Sequence, residues 1–391
     1  MTSRSTALAS DLVEQFRARF DASPRVFRAP GRINLIGEHT DYNEGFVFPA
    51  ALALSCRVAV APRSDRRIIV RSENLGDELE WDLAATGMPP ARAWSDYVRG
   101  VVLMLQHAVR DRAIPGASLV IRSDVPLGAG LSSSAAIEVA VASALIDCWG
   151  LSMEATDVAR LCQRAENEFV GARCGIMDQF IACHARAGHA LLLDCRSLES
   201  RVVPLPAHVR LVACNTMVRH SIAGGEYNRR RAECEQGVAA LAARVPGIRS
   251  LRDVDLALLQ REGGALPDVI RRRCRHVVTE NARVAQAAGA LARGDLDALG
   301  GLMAGSHRSL REDYEVSCTE IELMVQLASD CAGVFGSRLT GGGFGGCTVN
   351  LVDQDAVDEF RLHVSSRYEA RTGRRPDIYV TEAGRGAEQI A

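Results

Sequence analysis

A glycine-rich loop joins an apolar strand to a helix of small residues in the first half of the sequence. Residues 117–123 have the apolar pattern of a strand, and residues 132–148 are almost entirely alanine, valine, serine and isoleucine, with Glu138 and Asp147 as exceptions. Because this helix has no polar face, it is expected to be buried. The loop at residues 124–131 is therefore expected where a strand ends and a buried helix begins.

This loop offers a way to hold phosphate groups. Gly128 and Gly130 allow its backbone N–H groups to converge, and Ser132, Ser133 and Ser134 add three hydroxyl donors at the positive end of the helix dipole. The alternative is an ordinary strand-to-helix turn in which a serine caps the helix. Since a cap uses one hydroxyl, two hydroxyls remain for another purpose.

The absence of lysine restricts how the chain could bind a nucleotide. All 46 basic residues are arginine. The Walker-A loop and the ATP site of protein kinases each need a lysine that contacts the phosphates. Both designs are therefore excluded, and any ATP must be held in another way.

Length and composition indicate a globular protein of two domains. A chain of 391 residues is too long for one ordinary core, so we predict domains at residues 1–205 and 206–391 with a cleft between them. The net charge of -2 gives no basic excess that would attract nucleic acid. The sequence has neither a signal peptide nor an apolar run of membrane-spanning length, which predicts a cytoplasmic location.

The 12 cysteines are scattered between Cys56 and Cys347 and include no C-x-x-C pair. This spacing favours buried, reduced thiols over a disulfide framework or a zinc site.

A cluster of polar residues follows the first predicted strand. Residues 28–43 read Arg-Ala-Pro-Gly-Arg-Ile-Asn-Leu-Ile-Gly-Glu-His-Thr-Asp-Tyr-Asn, so that Glu38, His39 and Asp41 fall within four residues. Such a turn could supply the short, rigidly held donors and acceptors that a ring of sugar hydroxyls requires. From these residues alone a solvated loop and a metal site remain open, although the helical H-E-x-x-H spacing of a zinc site is missing.

Four segments resemble the superfamily of small-molecule kinases named for galactose, homoserine, mevalonate and phosphomevalonate. Pro-Leu-Gly-Ala-Gly-Leu-Ser-Ser-Ser-Ala-Ala at residues 126–136 is similar to its phosphate-binding motif, and the glycine-rich residues 336–347 are similar to its third motif. Residues 28–43, and Cys-Gly-Ile-Met-Asp-Gln-Phe at residues 174–180, resemble two segments of the galactokinase family within it. The resemblance extends over about residues 25–352, most of the chain.

The resemblance implies a fold and a set of site residues. The implied fold is a mixed α/β amino-terminal domain and a ferredoxin-like carboxy-terminal domain, with the active site in the cleft between them. The residues implied to wrap the phosphates of ATP are Gly128, Ala129, Gly130, Leu131, Ser132, Ser133 and Ser134. Those implied to bind Mg²⁺ are Ser134 and Glu166. Those implied to contact the sugar are Glu38, His39, Thr40, Asp41, Gly175, Asp178 and Tyr227.

The resemblance also implies a catalytic pair. Phosphorylating a hydroxyl requires an acceptor for its proton and a positive charge that offsets the charge on the phosphoryl oxygens. Asp178 matches the family's aspartate in the first role, and Arg32 matches the arginine that lies beside it. Whether Asp178 is a general base or mainly orients the hydroxyl remains open.

The implied reaction transfers the γ-phosphoryl group of MgATP to the anomeric C1 hydroxyl of α-D-galactose. Galactose and ATP are the expected partners, with no nucleic acid, membrane or obligate protein partner. A kinase for N-acetylgalactosamine or arabinose, and a non-catalytic sensor of galactose and ATP, are the alternatives. Such sensors have a shortened serine-alanine stretch in the phosphate loop, so the intact residues 132–136 favour an enzyme.

Overall fold

The computed structural model describes residues 3–85, 89–109, 112–219 and 223–391. Its helices are α1 (Ser3–Phe20), α2 (Ser95–Ala108), α3 (Ser133–Cys148), α4 (Ala155–Arg164), α5 (Met177–His184), α6 (Ala223–Ala242), α7 (Leu256–Glu262), α8 (Asp268–Ala292), α9 (Leu296–Ser309), α10 (Thr319–Ser329) and α11 (Val357–Thr372). Its strands are β1 (Arg25–Asn34), β2 (Phe46–Val47), β3 (Pro49–Pro62), β4 (Arg67–Ser72), β5 (Asp77–Asp82), β6 (Ala117–Ser123), β7 (His189–Asp194), β8 (Ser200–Pro204), β9 (Val209–Arg219), β10 (Val334–Leu339), β11 (Gly345–Asp353), β12 (Asp377–Thr381) and β13 (Glu388–Gln389). Two π-helical segments, Ala165–Val170 and Leu310–Tyr314, continue α4 and α9.

A six-stranded mixed sheet organises the amino-terminal half, in the order β13-β1-β3-β6-β4-β5. Strands β4 and β6 pair in parallel, and the other neighbours are antiparallel. Helix α3 packs across β1 and β3. It is buried along most of its length, which explains why its sequence shows no polar stripe. The predicted strand, loop and buried helix are confirmed.

The opposite face of this sheet is covered by α1, a helix that was not predicted. Successive residues of a strand point to opposite faces, so Phe27 of β1 joins the core under α3 while Val26 points the other way. Leu12 and Phe16 of α1 pack there against Val26 and Val120. The sheet is therefore the middle layer of three.

A four-stranded antiparallel sheet organises the carboxy-terminal half, in the order β10-β11-β9-β12. Helices connect β9 to β10 and β11 to β12, so the chain follows the βαββαβ path of a ferredoxin-like fold. Helices α10 and α11 pack on one face of the sheet through Met324, Leu327 and Phe360. A smaller three-stranded sheet, β2-β7-β8, lies beside the amino-terminal half. The predicted fold class is confirmed.

The division into residues 1–205 and 206–391 stays a prediction. It falls between β8 and β9, where the chain passes from one sheet to another. The largest hydrophobic cluster nevertheless includes residues from both sides, such as Val139 and Val349, and β13 returns to pair with β1.

Two other features concern the class of protein. Each of the 12 cysteines lies in the described ranges as a free thiol, and all are buried or partly buried. Within the described residues, no helix combines the length and apolar character needed to span a membrane.

Candidate active site

A cleft of about 770 Å³ lies where the two halves of the chain meet. Its lining includes eight of the predicted site residues: Arg32, Glu38, His39, Asp41, Glu166, Gly175, Asp178 and Tyr227. Thr40 and the phosphate loop are not part of this lining. The Thr40 hydroxyl instead donates to the carbonyl oxygens of Gly37 (2.8 Å) and Phe46 (2.6 Å), so it holds the turn together.

The predicted catalytic pair is in contact. Arg32, near the end of β1, donates from Nε to Asp178 Oδ1 at 2.8 Å. Asp178 lies in the first turn of α5, and its Oδ2 accepts from the Ser132 hydroxyl at 2.5 Å. Burial works against the charge of Arg32, but the carboxylates of Asp178 and Glu38 outweigh it and raise the pKa of the guanidinium. The pair therefore offers a carboxylate and a fixed positive charge at one point.

Glu38 ties the polar turn to the glycine-rich third motif. Its Oε1 accepts hydrogen bonds from the Gly341 N–H (2.7 Å) and the Thr340 hydroxyl (3.1 Å) and lies 3.2 Å from Arg338 Nη2. Both side chains of the ion pair are buried. Two segments some 300 residues apart in the sequence therefore meet at this carboxylate.

His39 occupies the left-handed region, with φ of 62°, and its ring is 4% exposed. Its Nδ1 lies 2.7 Å from the Tyr42 hydroxyl. Burial, together with the charge of His276, lowers the pKa of His39 to about 3, so the ring is neutral at physiological pH.

Asp41 and Gly175 form one wall of the cleft. A side chain at position 175 would begin 2.0 Å from Asp41 Oδ2, so only glycine allows the carboxylate to lie there. Burial and the charge of Asp178 raise the pKa of Asp41 to about 7.

Tyr227 of α6 also lines the cleft, and its ring lies 5.5 Å from that of His39 and 5.4 Å from that of Tyr42. Its edge is 3.5 Å from the position that a Cβ would take on Gly342. Tyr227 therefore lies between the polar turn and the third motif.

The phosphate loop is shaped by positive φ angles at Gly128 (67°), Gly130 (76°) and Ser132 (59°). Helix α3 begins directly after it, and Ser132 makes no side-chain capping bond to that helix. Because its hydroxyl contacts Asp178 instead, the ordinary capped turn does not describe this loop. Arg32 also donates to the Gly130 carbonyl, which joins the loop to the catalytic pair.

The third motif packs against the phosphate loop. A Cβ on Gly341 would lie 2.9 Å from the Gly130 carbonyl oxygen, and one on Gly346 would lie 3.1 Å from that of Ala129. Both glycines have positive φ, of 83° and 75°. The two backbones can approach this closely only because side chains are absent.

Glu166 lies in the π-helical segment that follows α4. The apolar stripe of the sequence, from Val158 to Phe169, predicts a single α-helix over residues 155–170, and that prediction is wrong in its last six residues. π-helical turns often occur at functional sites. Gln179 Nε2 donates to Glu166 Oε2 at 2.6 Å and to Glu138 Oε2 at 3.0 Å. Burial, followed by the charge of Asp178, raises the pKa of Glu166, and Ser134 hydrogen-bonds to the same carboxyl group.

The predicted magnesium residues Ser134 and Glu166 are therefore neighbours. Among the described residues, no group of three or more histidine, cysteine, aspartate or glutamate side chains is arranged to hold a metal ion. One carboxylate and one hydroxyl beside a phosphate loop fit Mg²⁺, because this ion usually completes its shell with water and substrate phosphates.

A second, apolar pocket of about 130 Å³ was missed in the sequence. It lies against Ser133 and Ser134 and is lined by the side chains of Leu75, Trp94, Tyr97, Leu127 and Ile137, among others. Trp94 and Tyr97 stand at the start of α2. A pocket with aromatic walls beside a phosphate site could accept a flat ring.

Family models match along the chain. The galactokinase galactose-binding signature matches residues 14–62, the GHMP kinases N terminal domain matches residues 96–186, and the GHMP kinases C terminal domain matches residues 287–370.

Full-length relatives and solved structures point the same way. The chain is 49% identical to the galactokinase of Roseiflexus sp. (strain RS-1) and 44% identical to that of Actinobacillus succinogenes, over at least 96% of each chain. It is similar to the crystal structure of Lactococcus lactis galactokinase complexed with galactose, with a TM-score of 0.94 and 35% identity over 98% of this chain and all of that one. Mevalonate kinase of Methanococcus jannaschii (TM-score 0.65, 16% identity, 93% and 99% of the two chains) shares the fold. Because the galactose-binding signature, the identity to full-length relatives and the structural similarity agree, the chain belongs to the galactokinase family.

Proposed function

We propose that this enzyme transfers the γ-phosphoryl group of ATP to the anomeric C1 hydroxyl of α-D-galactose. The observation that carries the proposal is the contact of Asp178 with both Arg32 and Ser132, because it joins the sugar cleft to the phosphate loop. A hydroxyl beside Asp178 and a phosphate on the loop would then be neighbours. The family and its galactose-bound relative support galactose as the sugar.

In the proposed sugar site, hydroxyl groups contact Glu38, His39, Asp41, Gly175, Asp178 and Tyr227. Three of these side chains are carboxylates, which accept hydrogen bonds from several hydroxyls of one ring. Glu38 and Asp41 are fixed by Gly341 and Gly175, so little side-chain freedom is lost on binding. Thr40 contributes indirectly, since its hydroxyl fixes the turn that carries His39 and Asp41.

In the proposed reaction, the C1 oxygen forms a bond to the γ-phosphorus while the bond from that phosphorus to the bridging oxygen of ADP breaks. The proton of the C1 hydroxyl passes to Asp178, either early, as to a general base, or late, after the hydroxyl has been oriented. Arg32 lies beside the transferred group, where its positive charge offsets the charge on the phosphoryl oxygens.

The nucleotide is proposed to bind with its phosphates on residues 128–134 and its base in the apolar pocket of Trp94 and Tyr97. Backbone amides, the serine hydroxyls and the α3 dipole replace the missing lysine. Ser134 and Glu166 would hold Mg²⁺, which neutralises phosphate charge when bound. The free cysteines support a location in the cytoplasm, where thiols stay reduced.

The alternatives are a kinase for N-acetylgalactosamine or arabinose and a non-catalytic sensor of galactose and ATP. Incubation with MgATP and a panel of hexoses, amino sugars and pentoses, followed by ³¹P and ¹H NMR of the products, distinguishes them. We expect galactose 1-phosphate as the main product. If another sugar reacts faster, that sugar would take the place of galactose as the proposed substrate. Binding of galactose and ATP without any product would indicate a sensor.

The matched variant for this assay is Asp178→Asn, which keeps the shape of the side chain but removes the charge. We expect turnover to fall by about 10²- to 10⁴-fold while the circular dichroism spectrum stays unchanged. Near-normal turnover would remove Asp178 from the catalytic role.

A further inference from the structure

A chain of hydrogen-bonding groups runs from the cleft into the carboxy-terminal half behind His39. His39 Nδ1 lies 2.7 Å from the Tyr42 hydroxyl, which lies 2.7 Å from the Tyr314 hydroxyl. The Tyr314 hydroxyl in turn lies 3.1 Å from Cys234 Sγ. Tyr314 ends the π-helical segment after α9 and Cys234 lies on α6, so the chain crosses between elements that are far apart in the sequence.

Ring packing holds this chain in place. The Tyr314 ring is fully buried between His39, at 4.7 Å between ring centroids, and His276, at 4.5 Å. His276 Nε2 is itself 3.1 Å from the Glu38 carbonyl oxygen, next to His39 in the chain. The His39 ring therefore meets aromatic rings on several sides, and a flip of the ring would break its bond to Tyr42.

Because His39 is neutral, only one of its ring nitrogens carries a proton, and the tautomer decides what the ring can do. Its Nε2 is buried and makes no well-formed hydrogen bond within the described residues. The backbone of Gly342 interacts with the His39 ring, and both residues line the cleft. With a proton, Nε2 is a donor to a ligand, and without one it is an acceptor.

The neighbouring groups favour a donor at Nε2. Glu38 and Asp178 line the same cleft and, as carboxylates, only accept hydrogen bonds. A sugar hydroxyl that donates its single proton to a carboxylate still has lone pairs, which need a donor. An acceptor at His39 would leave fewer donors for those lone pairs, since Arg32 and Tyr227 are the other predicted site residues that line the cleft with side chains that can donate.

We infer that Cys234, Tyr314 and Tyr42 form an ordered chain of donors that fixes His39 as the Nε2–H tautomer, and that Tyr314 is thereby a positioning residue for sugar recognition. The Cys234 thiol donates to Tyr314, Tyr314 donates to Tyr42, and Tyr42 donates to His39 Nδ1. The direction of the donors and the contact of Nε2–H with a sugar hydroxyl rest on the proposed function, whereas the tautomer itself is a property of the free protein and is measured without the sugar.

The direct test is NMR of the free protein labelled with ¹⁵N-histidine. Two-bond ¹H–¹⁵N correlations identify which ring nitrogen of His39 carries the proton, with His39→Asn used to assign the signals. We expect the Nε2–H pattern in the wild-type protein. In Tyr314→Phe, Tyr42 loses its donor, and in Tyr42→Phe, His39 Nδ1 loses its donor, so each variant is expected to increase the Nδ1–H form.

Kinetics supply the second measurement. Loss of one hydrogen bond in the chain should raise the KM for galactose by about 3- to 10-fold in Tyr314→Phe and leave the KM for ATP unchanged. The control is Tyr368→Phe, because Tyr368 is also fully buried and its hydroxyl donates at 2.9 Å to the Thr216 carbonyl, within the carboxy-terminal sheet region. This control should leave the His39 tautomer and both KM values unchanged.

The outcomes separate the inference from the proposed function. A wild-type Nδ1–H pattern, or an unaltered tautomer in both Tyr314→Phe and Tyr42→Phe, would overturn the chain of donors. The expected tautomer pattern in a protein that phosphorylates no sugar would keep the chain of donors and remove only the proposed function. If Tyr314→Phe does not fold, Tyr42→Phe gives the same NMR test.

Discussion

Asp41 combines a partly buried carboxyl group with a pKa close to neutrality. Its Oδ2 lies against the backbone of Gly175, and burial together with the Asp178 carboxylate raises its pKa to about 7. Because this carboxyl group holds its proton more tightly in the folded state than in the unfolded state, the free energy of unfolding decreases as the pH rises from about 4 to about 7. Below pH 7 the group is mostly protonated and accepts hydrogen bonds less strongly.

Galactose affinity should therefore depend on pH through Asp41. If the sugar binds the ionised carboxylate, the Kd should fall by about tenfold between pH 6 and pH 8, as the protonated fraction decreases. Isothermal titration calorimetry at pH 6, 7 and 8 measures this, and Asp41→Asn should bind more weakly with a flat profile. A Kd that does not change with pH in the wild-type protein would contradict the assignment of Asp41 to the sugar.

At the residue scale, the sequence could name most of the site because the four motifs fix residue types at fixed spacing. It could not show that the Ser132 hydroxyl contacts Asp178, since residues 132 and 178 belong to different motifs. Nor could it show that the three consecutive arginines at 229–231 differ in exposure. Such a run is typical of a solvated helix face, yet Arg230 is 2% exposed and donates to the carbonyls of Tyr314 and Glu315 at the end of a π-helical segment.

At the scale of elements, the third motif, residues 336–347, needs glycine at position 341, where it meets the phosphate loop. Gly341 has φ of 83°, and an added Cβ would lie 2.9 Å from the Gly130 carbonyl. Gly341→Ala should strain the turn and move the loop, which raises the KM for ATP and lowers the thermal midpoint. The control Gly301→Ala adds a Cβ in open space on helix α9, where alanine should leave activity unchanged. A Gly341→Ala enzyme with normal kinetics would show that the close contact is dispensable.

The π-helical segment gives a second prediction at this scale, because it carries one buried and one exposed glutamate. Glu166→Gln should raise the free Mg²⁺ concentration needed for half-maximal activity by at least tenfold. Titration of Mg²⁺ at fixed ATP measures this, and Mn²⁺ binding to the protein followed by electron paramagnetic resonance gives a readout apart from turnover. Glu168→Gln, which only loses an exposed ion pair with Arg164, should behave as wild type. Equal metal dependence in both variants would remove Glu166 from the magnesium site.

Long and strongly patterned elements were predictable, and short or irregular ones were not. Strand β6 and helix α3 match the predicted ranges to within one residue, because each has a clear apolar pattern and defined ends. The π-helical turn at residues 165–170 has an apolar stripe that continues from α4, so periodicity alone reads it as more α-helix. The two-residue strands β2 and β13 are too short to show any alternation.

On the scale of the whole molecule, Glu280 of α8 connects the two halves. It accepts from the Gly37 N–H at 2.9 Å and from the Ser306 hydroxyl at 2.6 Å, and it pairs with Arg283 at 2.7 Å. Burial would raise its pKa, but the charges of Arg283 and His276 prevail and lower it to about 2. A carboxylate with a lowered pKa stabilises the fold above the unfolded value near 4.5, and this contribution is lost as the pH falls toward 2.

Glu280→Gln should therefore destabilise the protein by about 3 kcal/mol at pH 7, since it removes a fully buried carboxylate from its partly buried partner Arg283. The difference from wild type should narrow as the pH falls below 4.5. Thermal midpoints measured between pH 3.5 and pH 7 test this, with Glu369→Gln, an exposed position on α11, as the control. A constant difference across that range would mean that the charge of Glu280 does not contribute.

The architecture could be predicted because four motifs spread over most of the chain resemble one superfamily. The contacts between motifs could not, because pairs such as Glu38 with Gly341 join segments 303 residues apart and no local pattern records them. The apolar pocket at Trp94 and Tyr97 was missed for the same reason, since its walls come from several separate segments.

The last strand has a consequence for how the protein is made. β13 supplies the outer partner of β1, and the ion pair between Arg28 and Glu388 spans 360 positions of the chain. During translation, β1 is among the first strands to leave the ribosome, whereas its partner is among the last. The outer edge of β1 therefore stays unpaired until residues 388 and 389 emerge. During that interval, a chaperone or a neighbouring nascent chain could bind to this edge.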